Sequence, residues 1–247
     1  MMKETLLFLL LLALVTTAAL TLRAGLFPEE APPPPVRTLE HAIPPQPEPE
    51  PAAPADWKLT LVSPEHPLPE DYAVTLTRLK NGLAVDERCY PALQEMMDAC
   101  RAEGLEPLIC SSYRTWEKQT RLFENKVARF AAGGLSPEAA RAEAARVVAV
   151  SGTSEHQLGL AVDIVDSAYQ LLDDAQADTP VQQWLMAHAW EYGFVLRYPR
   201  EKEDVTGIVW EPWHYRYVGK EAAEEMTAQQ LCLEEYLDAR SGGSQRA

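Results

Sequence analysis

The apolar positions of this chain change period several times, and each change marks an element. From Cys89 to Glu103 they recur with helical spacing. Cys89, Leu93, Met96, Met97 and Cys100 share one face, and Gly104 follows where the pattern stops. Pro107 to Ser111 is a short apolar run of strand length. Trp116 to Ala131 returns to the helical period, with Leu122, Phe123, Val127 and Phe130 as its apolar stripe and Gly133-Gly134 as its end. Ser136-Pro137-Glu138 predicts a further helix, with serine as cap and proline at the first helical position. Leu160 to Val165 predicts a strand and Val181 to Tyr192 a helix stopped by Gly193. Phe194 to Tyr198 and Trp213 to Val218 predict two more strands, and two short helices follow to Leu237. Helices and short strands are interspersed without regular βαβ repeats, which predicts an α+β fold.

The pattern is different before residue 57. Leu6 to Leu22 runs 17 residues without a charge behind Lys3. As a helix rising 1.5 Å per residue it is about 25 Å long, a little short of the roughly 30 Å hydrocarbon core. Residues 1–27 are therefore expected to be a signal anchor or a signal peptide, with Thr17-Ala18-Ala19 as the place to cut in the second case. Either way the rest of the chain is exported. Eleven of the 20 prolines lie between Pro28 and Pro54. That density excludes helix and sheet, so residues 28–56 are expected to be an extended, polyproline-like stalk. The globular zone is 57–240, and 241–247 is expected to be a disordered tail.

Charge narrows the partners. With 22 basic and 37 acidic residues the net charge is -15, and beyond residue 56 the chain keeps 19 basic against 30 acidic. Phosphate binding wants a basic surface, so nucleic acid is excluded as a partner. A polybasic membrane-surface binder is excluded on the same ground, leaving the N-terminal segment as the sole membrane contact. The four cysteines, Cys89, Cys100, Cys110 and Cys232, form no C-x-x-C pair, so a zinc ribbon and a thioredoxin motif are excluded. A disulfide between Cys100 and Cys110 and a set of reduced core cysteines both remain open.

The chemistry gathers around two histidines. His156 lies in Ser154-Glu155-His156-Gln157-Leu158-Gly159, a loop entering the strand Ala161-Val162-Asp163-Ile164-Val165. Asp163 carries a carboxylate into an apolar strand, and a buried charge needs a metal or a cation such as an arginine. His214 lies in Trp210-Glu211-Pro212-Trp213-His214-Tyr215. Residues three apart on a straight strand face opposite ways, but Pro212 permits a bend that brings Glu211 and His214 to one site. Two histidines and one carboxylate are a plausible zinc set. Three protein ligands leave a position for water, the catalytic arrangement, and Glu211 would be free to act as base.

Ser154 to Asp163 matches S-x-H-x-x-G-x-A-x-D, Glu211 to His214 matches E-x-W-H, and Ser112-Tyr113-Arg114-Thr115 matches the S-x-Y-R-S/T segment that precedes them. The chain thus resembles the VanY-type zinc D-alanyl-D-alanine carboxypeptidases, which share their fold with the Hedgehog signalling domain. The likeness spans roughly residues 76–237. It implies a small central antiparallel sheet with flanking helices and one zinc ion held by His156, Asp163 and His214. It also implies Glu211 as catalytic base, Arg114 stabilising substrate and transition state, and Ser154 and Gln119 contacting the peptide. The implied reaction removes the terminal D-alanine of peptidoglycan stem peptides outside the cytoplasm. The alternatives are an L,D-carboxypeptidase acting on tetrapeptide stems and a non-catalytic zinc-containing binding module. The free base and the arginine beside three ligands favour an enzyme. Trp213 and Tyr215 either line the cleft or pack the sheet, with packing the expected role.

Overall fold

The computed structural model describes residues 56–243, so the expected apolar segment and almost all of the stalk lie outside the described residues. No helix among the described residues is long and apolar enough to cross a membrane. Among the described residues six strands and seven α-helices alternate irregularly. They are β1 (Leu76–Arg78), β2 (Ala84–Asp86), α1 (Tyr90–Ala102), β3 (Pro107–Ser111), α2 (Trp116–Ala132), α3 (Pro137–Ala145), β4 (Ala161–Asp166), α4 (Pro180–His188), β5 (Phe194–Leu196), α5 (Glu203–Thr206), β6 (His214–Tyr217), α6 (Lys220–Gln229) and α7 (Leu233–Gly243). β1 and β2 form a hairpin, and the other four strands form an antiparallel sheet in the order β3-β4-β6-β5.

Local chemistry accounts for the helix ends. The Thr115 side chain accepts from Lys118 N at 3.2 Å and caps α2. Ser136 does the same for α3 through Ala139 N, and Thr179 for α4 through Gln182 N. α1 buries Leu93, Met96, Met97 and Cys100 as its spacing predicts. These side chains pack with Val162, Ile164 and Tyr215 from one face of the sheet and with Val181 and Leu185 of α4. A second cluster joins Val195 and Val218 to Ala222, Ala223 and Met226 of α6 and to Leu233 and Tyr236 of α7. α2 and α3 close against each other through Phe123, Ala140 and Ala144.

β4 is central and all six of its residues are buried. Side chains alternate along a strand, so Val162 and Ile164 go to the α1–α4 core while Asp163 points to the other face. In register, Asp163 sits between Ser111 of β3 and His214 of β6. Three polar side chains therefore stand side by side across three strands.

Some expectations change. The helix expected over 181–192 is α-helical only to His188 and tightens to a 3₁₀ turn at Ala189–Tyr192. On α2, Leu122, Val127 and Phe130 are half-buried, and Gln119 joins Phe123 among the fully buried residues. β5 stops at Leu196, and Arg197 turns inward to an ion pair. All four cysteines are free thiols, because Cys100 is buried under the sheet while Cys110 is exposed on β3. α7 runs to Gly243, three residues into the expected tail.

Candidate metal centre

His156 lies on a 3₁₀ turn, Glu155–Leu158, that Gly159 ends in a left-handed conformation (φ 75°). Its Nδ1 is 2.9 Å from the Ser112 carbonyl oxygen. A carbonyl can only accept, so Nδ1 carries the proton and Nε2 presents its lone pair inward. Nε2 lies 3.3 Å from Asp163 Oδ2. On the other side His214 Nδ1 lies 3.2 Å from Asp163 Oδ1 and 3.4 Å from Glu211 Oε2. The turn holding Glu211 is closed by His214 N donating to the Glu211 carbonyl at 3.1 Å, which supplies the bend expected at Pro212. One ligand atom from each of His156, Asp163 and His214 lies within 4.8 Å of the others, and all three residues are buried.

The donor set fits a divalent cation. Asp163 Oδ1 is a buried acceptor with no hydrogen-bond partner, and it faces the space between the two imidazoles. Leaving such an atom unmatched is costly, and two imidazoles with one carboxylate are a common zinc set. Burial, helped by the Arg114 charge, pushes His156 down to about 4, which keeps it neutral as a ligand must be. Burial opposes charge on His214 as well, yet the facing Asp163 and Glu155 carboxylates lift it to about 9. The carboxylates around it thus attract positive charge strongly. Asp163 is held well below the carboxylate range by His156, His214 and Arg114 against the cost of its burial. Burial raises Glu211 to about 7, with Asp163 raising it further and His214, Arg114 and Lys126 pulling it down.

Beneath the donors lies a buried ionic network absent from the sequence reading. Glu155 Oε2 faces His214 Nε2 at 3.6 Å, while Glu155 Oε1 accepts from Arg197 Nε at 2.7 Å and from Arg216 Nη1 at 2.8 Å. Arg197 is held in turn by a two-pronged contact with Glu234, and Arg216 donates to the Lys58 and Thr60 carbonyls. A carboxylate behind a ligating imidazole fixes its ring and tautomer, here turning Nδ1 toward Asp163. The signal in the sequence is slight: Glu155 adjoins His156, and Arg216 stands two residues after His214 on the same strand face.

A cleft of about 430 Å³ opens over the donors, lined among others by Arg114, Ser154, Tyr198, Glu211 and Trp213. Trp213 thus lines the cleft, while Tyr215 packs the core and donates its hydroxyl to Gln182 Oε1 at 2.9 Å. Arg114 pairs with Asp163, Nη2 to Oδ2 at 2.8 Å, the cation partner that an aspartate on an apolar strand requires. It also donates to Ser111 Oγ from Nε and Nη2, and from Nη1 to Gln119 Oε1 at 3.3 Å. Gln119 is buried below it and donates to the Ala149 carbonyl at 2.6 Å.

The sequence profile of the VanY family, described as D-alanyl-D-alanine carboxypeptidase, matches residues 82–220. A D-alanyl-D-alanine carboxypeptidase of Enterococcus faecalis is 47% identical over 184 residues, which is 74% of this chain and 66% of that protein. The chain thus spans just under two thirds of that relative's length. A glutamate-to-alanine variant of the vancomycin-resistance D,D-pentapeptidase VanY, solved with Zn(II), superposes with a TM-score of 0.68 at 47% identity, over 73% of this chain and 99% of that one. The LD-carboxypeptidase LdcB superposes with a TM-score of 0.63 at 34% identity, over 72% and 84%.

Proposed function

The chain belongs to the VanY family of D-alanyl-D-alanine carboxypeptidases, and on that footing we propose that it is a zinc enzyme removing the C-terminal D-alanine from peptidoglycan stem peptides. The observation that carries the reading is the convergence of His156, Asp163 and His214 with Glu211 in one cleft. A zinc ion held by those three residues supplies Lewis-acid polarisation of the scissile carbonyl and of a water molecule. Glu211 takes a proton and delivers it to the departing amine. A carboxylate whose pKa burial has raised to about 7 is suited to both halves of that task near neutral pH. A binding module has no use for such a group.

The contacts of Arg114 support one task, since its charge offsets that of Asp163. Of its five N–H donors, four are engaged by Ser111, Gln119 and Asp163, leaving one on Nη1. It therefore offers the substrate a single charged hydrogen bond instead of a two-pronged clamp. Ser154, on the cleft wall, is a peptide contact. Gln119, beneath Arg114, acts by holding the guanidinium. The reaction takes place outside the cytoplasm, with residues 1–27 as membrane anchor and 28–56 as the stalk that carries residues 57–240 toward the wall.

The test is D-alanine release by the zinc-loaded protein from defined stems. Release from a pentapeptide ending in D-Ala-D-Ala, and little from the tetrapeptide, is expected. The reverse preference establishes the L,D reading instead. Release from neither overturns the enzyme. Metal analysis of His156→Ala is expected to show zinc lost, and full retention removes the ligand assignment.

A further inference from the structure

Helix α2 forms one wall of the cleft. Leu122, Asn125, Lys126 and Arg129, spaced i, i+3, i+4 and i+7, line it together with His156, Asp163, Glu211 and His214. Gln119 lies two turns nearer Arg114 on nearly the same side as Lys126, while Phe123 turns toward the core. Lys126 is half-buried and Arg129 exposed. Neither has a carboxylate within 4.0 Å among the described residues, although neighbouring Arg141 pairs with Glu124 and Arg146 lies near Glu143 and Glu203. In a chain with 37 acidic and 22 basic residues, Lys126 and Arg129 place two cations without an acid on the wall of the cleft.

Position along the helix says what they face. Gln119 marks the level of Arg114, which it contacts. Lys126 is seven residues beyond it and Arg129 ten, about 10 and 15 Å at 1.5 Å per residue. A peptide extended along α2 advances about 3.3 Å per residue, so Lys126 lies about three residues, and Arg129 about four to five, from the level of Arg114. Only one residue leaves on the carboxyl side in the proposed reaction. A group that far away belongs to the amino side, the part of the stem that is retained.

We infer that Lys126 and Arg129 form a subsite for a carboxylate on the retained stem, about three residues before the scissile bond. The inference rests on the carboxypeptidase reading and adds a substrate class to it: stems whose second residue is D-isoglutamate with a free α-carboxylate, in preference to stems amidated there.

The experiment compares two pentapeptides, L-Ala-γ-D-Glu-L-Lys-D-Ala-D-Ala and its D-isoglutamine counterpart, on the zinc-loaded full-length chain. Dissociation constants are measured on Glu211→Gln by calorimetry, and KM and kcat on the unaltered active site. The acid peptide is expected to bind about 3- to 10-fold more tightly, the scale of one or two solvent-screened ion pairs. The advantage should appear in KM with kcat little changed, and should shrink as salt is raised. Lys126→Ala with Arg129→Ala should erase it, so that both peptides behave as the amide does. Lys126→Arg with Arg129→Lys should keep it. Equal binding of the two peptides overturns the inference, as does a double alanine variant that keeps the preference or weakens both peptides alike. Peptides that bind with the stated preference but release no D-alanine overturn the carboxypeptidase reading and leave the subsite standing.

Discussion

Arg114 and Glu211 line the same cleft and should respond in opposite ways when replaced. The place of Arg114 after a short strand and at the opening of a helix suggests a rigidly held guanidinium that either meets the substrate or pairs with Asp163 or Glu117. The structure shows the guanidinium already committed to Asp163 and Ser111. Two effects should therefore appear together in Arg114→Ala. The melting temperature and the zinc content should fall, because a buried carboxylate loses its cation, and turnover should fall as well. Arg114→Lys should recover part of the stability and less of the activity, since lysine carries the charge without the fork. Melting, metal content and D-alanine release on the same variants check this, and an Arg114→Ala protein that melts normally and keeps its zinc contradicts it. Glu211 should behave oppositely. Glu211→Gln keeps the shape and removes the base, so zinc and fold should persist while kcat falls about 10²- to 10⁴-fold. A near-normal rate in that variant places the base elsewhere.

At the scale of elements, periodicity and end signals carried most of the information. α1, β3, α2 and α3 lie within a residue of where apolar spacing, Thr115, Ser136-Pro137 and the glycines put them. Such signals are local, made between residues three or four apart. The hairpin β1–β2 escaped because its strands have three residues each, too few for an alternation to be read. Gly159 joins the two scales. It turns the chain from His156 into β4 at φ 75°, and a Cβ there would come within 2.9 Å of Asp86 N. Gly159→Ala must either strain a left-handed residue or push the Asp86 backbone, at a cost of about 1–3 kcal/mol. The expected result is a lower denaturation midpoint together with weaker zinc retention, because the same turn carries His156. Denaturant titration and chelator competition measure the two, and unchanged values in both refute the argument.

For the whole molecule, the dispensable length of the N-terminus is set by residues 56–60. Trp57 stacks on Tyr217 and lies under Arg88, and the Lys58 and Thr60 carbonyls accept from buried Arg216. A chain beginning at Asp56 keeps these contacts and is expected to fold and to keep its activity. A chain beginning at Ser63 should be markedly less stable, because Arg216 would lose two buried acceptors, each worth about 1–3 kcal/mol. Thermal melts of the two proteins decide it, and equal stability would mean that the Arg216 contacts are redundant.

The α+β class and most helix boundaries are legible in the sequence, which also points to His156, Asp163 and His214 as candidate donors with Glu211 as candidate base. Those follow from residue type and from spacing within short motifs. The tertiary structure decided what the donors stand on and what surrounds them. Ser111, Asp163 and His214 become neighbours only through the register of three strands. Glu155 reaches behind His214 only because two arginines from β6 and the end of β5 meet it there. Lys126 and Arg129 become cleft residues only when α2 is laid beside β4 and the Glu211 turn. Spacing along a chain fixes which side chains share a face. Contacts between residues 40 or 60 positions apart depend on how the elements pack, and no local pattern encodes that.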